Sequence, residues 1–163
     1  MVEDISVVFN NCTSIDNGEI GIKIQGVKPG SYDGSKGLIS FNNFQIENSG
    51  WHGIWIRNDQ TDPDQTYQFK FNNTKIVNSA TETGKFYPLT FWNTVDAGGI
   101  SNIDFGNNFS IVDNQERPGV FANAHAIRDG FTNISGTIHI DNSQQITPRL
   151  GDNLTNFSLK FTN

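Results

Sequence analysis

The chain is 163 residues long, with 17 acidic against 11 basic residues, a formal net charge of -6 and a single cysteine. That length suits one domain spanning residues 1–163, and an acidic balance without a basic stripe argues against nucleic acid as a partner. No apolar run approaches the ~18 residues of a membrane-spanning helix, and the lone Cys12 allows no disulfide within the chain.

The first predicted element is a short strand, Ile5, Val7 and Phe9, whose apolar residues alternate with period 2. It runs into Asn10-Asn11, a second short strand with Ile15, and then Gly21-Ile22-Lys23-Ile24. The same succession returns. Ile39 and Phe41 precede Asn42-Asn43, Phe44 and Ile46 follow, and Gly53-Ile54-Trp55-Ile56 closes the unit. A third unit reads Phe69, Phe71, Asn72-Asn73, Thr74, Ile76, then Pro88-Leu89-Thr90-Phe91. A fourth carries Asn107-Asn108, Phe109, Ile111 and Gly119-Val120-Phe121-Ala122. The Phe positions 9, 41, 71 and 105 are 32, 30 and 34 residues apart, a period that means stacked repeats in which no unit buries its apolar face alone. Asn tolerates the left-handed backbone region at modest cost, so each Asn pair predicts a tight bend between two strands. No segment keeps a 3.6-residue apolar period, which excludes a helical repeat.

The fifth unit is degenerate, with Ile134 to Ile140 and Ile146 fitting the pattern but no Asn pair. The last residues, Phe157-Ser158-Leu159-Lys160-Phe161-Thr162-Asn163, match Tyr67 to Asn73. Both ends therefore fall inside a coil, and open parallel-sheet ends are normally covered. The expectation is a segment of a longer protein or a chain that docks end-on, with natural termini and an unrecognised cap as the alternative.

Three short strands per unit, punctuated by Asn and followed by Gly-Ile-x-Ile, resemble the right-handed parallel β-helix proteins of the pectate-lyase-like superfamily. The resemblance covers nearly the whole chain and implies an all-β solenoid of about five coils and three parallel sheets, on the order of 25 Å long. It also implies an Asn ladder at one bend, with Asn11, Asn43, Asn73 and Asn108 as rungs. In such proteins the third strand and its following loop line a polysaccharide groove.

All three tryptophans cluster around that strand: Trp51 and Trp55 in the second unit and Trp92 in the third. Alternation turns Ile54 and Ile56 inward and Trp55 outward, between Lys23 and Thr90. An outward indole is either a platform for the apolar face of a sugar or a ring packed beneath a loop folded back from 57–66 or 92–99. His52, in Gly50-Trp51-His52-Gly53, looks like part of the Gly-His-Gly phrase of polygalacturonase-type hydrolases. The acidic phrases of that family are absent in order; Asn93-Thr94-Val95-Asp96 lies on the wrong side of His52 and is broken by Val95. A two-carboxylate hydrolase is not supported by these residues. Lyases of uronate polymers need a cation to neutralise the carboxylate and a base to remove the neighbouring proton, and Lys23, His52 and Arg57 could supply that set. The plainer reading makes Arg57 a loop cap paired with Asp59, and His52 an exposed turn residue.

Asp59, Asp62 and Asp64 lie within six positions and offer hard oxygens to Ca²⁺, although Asp-Pro-Asp is also an ordinary solvated turn. His125 and Arg128 form a second polar cluster in the equivalent loop of the fourth unit, as sugar contacts or as loop packing. Two functions compete. One is a carbohydrate-active protein, a lyase or glycoside hydrolase, secreted or on a cell surface. The other is a non-catalytic structural or adhesive β-helix, such as a surface protein or phage tailspike piece, with end-on or side-by-side self-association. An ice-binding solenoid would need outward Thr rows, and Lys23, Trp55, Thr90 and Phe121 are no such row.

Overall fold

The structure, a computed structural model, describes residues 5–25, 37–58, 68–82, 86–93, 100–113, 120–123, 131–142 and 154–162. These residues are all-β, with no helix among them. The first unit contains β1 (Ile5–Asn10), β2 (Thr13–Ile15) and β3 (Ile20–Gln25). The second contains β4 (Gly37–Asn42), β5 (Gln45–Glu47) and β6 (His52–Asn58), and the third β7 (Gln68–Asn72), β8 (Lys75–Val77) and β9 (Leu89–Asn93). Then come β10 (Ile100–Asp104), β11 (Phe109–Asp113) and β12 (Val120–Asn123), followed by two long strands, β13 (Phe131–Asn142) and β14 (Leu154–Thr162).

Every third strand returns to the same column. β1, β4, β7, β10 and β13 pair in one file, β2, β5, β8 and β11 in another, and β3, β6, β9 and β12 in a third. All pairings between the described strands are parallel. The sheets are open rather than closed on themselves. Register follows the sequence repeat, since Phe9 faces Phe41, Phe41 faces Phe71, and Ile46 faces Ile76.

The bends explain the Asn pairs. Asn11, Asn43 and Asn73 hold φ of 53°, 51° and 51°, a region that most L-residues avoid and Asn tolerates. Their side chains form a ladder: Asn43 Nδ2 donates to Asn11 Oδ1 at 2.9 Å, and Asn73 Nδ2 to Asn43 Oδ1 at 2.7 Å. A second ladder, not foreseen, stands one residue earlier, with Asn42 donating to Asn10 and Asn72 to Asn42, both at 2.8 Å. The next bend repeats the device with Asp16, Asn48 and Asn78 at φ of 54°, 54° and 44°, and Asn48 Nδ2 donates to Asp16 Oδ1 at 3.0 Å.

Asn108 is a correction. Asp104 faces Lys70 and Ser110 faces Lys75, so the fourth unit has one extra residue at the bend. The positive φ passes to Gly106 at 60°, and Asn108 makes no hydrogen bond to Asn73 among the described residues. The fifth unit turns without an Asn pair. β13 continues through that corner and pairs with β10 before it and β11 after it, joining two columns into one ten-stranded sheet. Gly136 permits this: its φ is 119°, and a Cβ there would sit 2.7 Å from the Gly106 carbonyl oxygen.

Inward residues build one continuous core. Phe9, Phe41, Phe71 and Phe105 stack face to face at 5.0, 5.0 and 5.2 Å. Phe44 and Phe109 meet that column edge-on, an arrangement matched to the ring quadrupole. Ile46, Ile76 and Ile111 fill the second column, while Ile54, Ile56, Leu89 and Phe91 fill the third. Cys12, in the first unit, is half-buried.

Candidate functional site

The site grows from the third column. Glycines lead its first two strands because the backbone of the next strand is too close for a side chain. A Cβ on Gly21 would stand 2.7 Å from the Gly53 carbonyl oxygen, and one on Gly53 would stand 2.7 Å from that of Pro88. Beyond the glycines, alternation aims Ile22, Ile24, Ile54, Ile56, Leu89 and Phe91 toward the core. Lys23, Trp55 and Thr90 therefore form an outward row, in the register expected, and Gln25, Arg57 and Trp92 pair in register two residues further along their strands.

Within the first row, the Lys23 Nζ lies 5.1 Å from the centre of the Trp55 ring. A cation at that distance over an indole is attracted by the negative ring face. Trp55 itself is half-buried, and Trp92, diagonal to it on the adjacent strand, is 38% exposed. Strand rise and spacing place the two indoles roughly 8 Å apart at their backbones. Arg57 stands opposite Trp92 at the register position between Gln25 and Trp92.

His52 departs from both sequence readings of an accessible group. It is only 7% exposed, so it is no exposed turn residue. Its Nδ1 lies 3.0 Å from Thr90 Oγ1 and 3.1 Å from the Tyr87 carbonyl oxygen, and the Tyr87 amide approaches it at 3.3 Å. Its ring packs against Trp55 at 5.5 Å and meets the edge of Phe86 at 5.4 Å. Nδ1 is thus turned into the protein, and the imidazole braces the strand and the segment beside it. Thr90, outward by alternation, is buried beneath this cluster.

Trp51 is committed to packing. Its ring stacks on Phe86 at 5.5 Å with 5° between planes, and its Nε1 donates to Glu82 Oε2 at 2.9 Å. Phe86 and Glu82 thus pack and hold Trp51, while residues 59–66 and 94–99, which the packing alternative for Trp55 invokes, lie outside the described residues. Glu82, Phe86 and Tyr87 were not found from sequence, because that stretch has neither apolar alternation nor the Asn pair.

The structure thus gathers Lys23, His52, Trp55 and Trp51 around one strand and sets Arg57 and Trp92 one row further along. Asp59, Asp62 and Asp64, proposed for Ca²⁺, lie outside the described residues, as do His125 and Arg128. Among the described residues, no three His, Cys, Asp or Glu side chains are grouped to hold a metal ion, and no helix is long and apolar enough to cross a membrane. No protein-family model, curated protein or solved structure matches the chain, so the β-helix resemblance rests on its own repeats.

Proposed function

We propose that the chain is a right-handed parallel β-helix, secreted or displayed at a cell surface, that binds polysaccharide across the outer face of β3, β6 and β9. The observation that carries this reading is the Lys23 ammonium seated over Trp55, with the exposed indole of Trp92 on the neighbouring strand. Indole faces take the C–H face of a sugar ring, and an ammonium beside them takes a carboxylate, so acidic polysaccharides fit best. Binding is better supported than cleavage, since the one histidine of the site has Nδ1 engaged with Tyr87 and Thr90. A lyase role would leave Lys23 to neutralise the uronate carboxylate and Arg57 as the remaining candidate base.

The test is tryptophan fluorescence during titration with neutral and uronate oligosaccharides, with and without Ca²⁺. A saturable change with uronates, lost in Lys23→Met, is the expected result, and product analysis for unsaturated uronates then decides between binding and lysis. A requirement for Ca²⁺ would implicate Asp59, Asp62 and Asp64. Silence toward every sugar from a folded protein would overturn the reading. The second reading, a non-catalytic structural or adhesive β-helix segment, draws on the exposed apolar residues of the first unit, Val7, Val8, Phe9 and Ile15.

A further inference from the structure

We propose that Asn108 is an N-glycosylation site, the acceptor in Asn108-Phe109-Ser110 for an oligosaccharide carried on a polyprenyl diphosphate. The inference rests on the secreted or surface location proposed above.

Asn11, Asn72, Asn108, Asn133, Asn153 and Asn156 each open an Asn-x-Ser/Thr string without Pro at x, the pattern that N-glycosylation requires. The fold separates them. Asn11 and Asn72 belong to the ladders: Asn11 Oδ1 accepts from Asn43 Nδ2 at 2.9 Å, and Asn72 Nδ2 donates to Asn42 Oδ1 at 2.8 Å. Rungs follow one another at the strand spacing of ~4.8 Å, which leaves no width for a hexose between neighbouring amides. Thr74, the hydroxyl residue of the second string, is also fully buried. Asn133 and Asn156 lie inside β13 and β14, which pair with each other, and Asn153 lies outside the described residues.

At Asn108 the bend no longer accounts for the asparagine. The extra residue of the fourth unit passes the left-handed turn to Gly106, and a Cβ there would stand 3.5 Å from Asn72 Oδ1. Gly106 thus takes the place beside the Asn72 rung, and Asn107 and Asn108 are exposed outside the file. The Asn108 side chain makes no hydrogen bond among the described residues. The two residues after it are held firmly. Phe109 is fully buried edge-on to Phe71 and Phe105, and Ser110 N donates to Thr74 O at 2.9 Å, while Ser110 itself stays half-buried. An uncommitted amide therefore projects from a rigid corner, where a glycan costs the fold no contact. That corner joins β10 to β11, the first column to the second, so a glycan there leaves the outer face of β3, β6 and β9 open. In the reaction, Asn108 Nδ2 forms a bond to the anomeric carbon of the oligosaccharide. The bond from that carbon to the diphosphate oxygen breaks, its electron pair leaves on the polyprenyl diphosphate, and one Nδ2 proton is released to base.

The full chain, expressed behind a cleavable secretory leader in eukaryotic cells, tests the acceptor in the compartment that the secreted reading implies. Enzymatic release of the glycan from the secreted, folded protein in heavy-oxygen water should leave labelled Asp at position 108. Asn108→Gln and Ser110→Ala should each remove one glycan from the intact mass, and Ser110→Thr should retain it. Asn108→Gln, at an exposed and unbonded position, should leave Tm within about 2 °C of wild type. Folded, secreted protein with Asn108 bare overturns the proposal, whatever the occupancy of the other strings. Translation of the full chain into microsomal membranes gives a second measurement that needs no secretion: a one-glycan gel shift lost in Asn108→Gln is expected, and its absence overturns the proposal. The uronate titration should respond equally before and after deglycosylation. Silence toward every sugar in both forms would overturn the binding reading and leave the glycan at Asn108 in place.

Discussion

Asn43 is where the bend chemistry can be taken apart. It holds φ of 51°, donates to Asn11 at 2.9 Å and accepts from Asn73 at 2.7 Å. Asn43→Ala removes both ladder bonds and leaves a Cβ-bearing residue in the left-handed region with no local polar group to favour it. Two exposed hydrogen bonds contribute about 0.5–1 kcal/mol each, and the backbone penalty adds about 1 kcal/mol, so the expected loss is about 2–3 kcal/mol. Asn43→Gly loses the same bonds but accepts the backbone without strain, and should be less damaging than Ala by about 1 kcal/mol. For a domain of this size each kcal/mol moves Tm by about 2–4 °C, so Ala should lower it by about 4–12 °C and Gly by clearly less. Urea denaturation of wild type, Ala and Gly variants, with m-values compared, provides the free energies. Equal losses for Ala and Gly would refute the left-handed bend, and a Gly variant as stable as wild type would refute any contribution from the ladder.

Other substitutions probe the core and the site. Thr74 is fully buried between Phe44 and Phe109 in its column, and its Oγ1 has no hydrogen-bond partner. Thr74→Val, of nearly the same shape, should stabilise by about 1 kcal/mol in the same urea experiment, and a destabilised variant would show that the hydroxyl is satisfied. Phe71 is sandwiched between Phe41 and Phe105, so Phe71→Ala should cost about 3–5 kcal/mol, with a loss below 1 kcal/mol contradicting the stacked column. Gly53→Ala would press a methyl against Pro88 O and the Ile76 side chain, and should cost about 1–3 kcal/mol through strand displacement. In the sugar titration, Trp55→Ala should weaken uronate binding about tenfold through loss of the indole under Lys23, while Trp51→Phe, which retains a ring on Phe86, should change it less than about threefold. Comparable losses in the two would place the sugar elsewhere.

The repeat was legible because each of its parts answers a local demand. Phe9, Phe41, Phe71 and Phe105 recur at the length of one unit, Asn recurs where the backbone must turn left-handed, and Gly recurs where two strands approach too closely for a Cβ. From these, the all-β character, the parallel columns and the outward row of Lys23, Trp55 and Thr90 all follow. What sequence missed has a common cause. One inserted residue moved the fourth bend from Asn108 to Gly106, and in the fifth unit Gly136 stands at the corner in place of an Asn pair, effects that depend on register between units.

The site divides along the same line. Which side of a strand Trp55 occupies is decided by a period of two, and sequence alone determines it. Whether an outward residue is free or covered depends on segments distant in the chain, and only tertiary structure decided that. Phe86 stacks on Trp51, Glu82 holds its indole nitrogen, and Tyr87 and Thr90 enclose His52. Alternation specifies direction, while burial is set by whatever else the chain brings to that face.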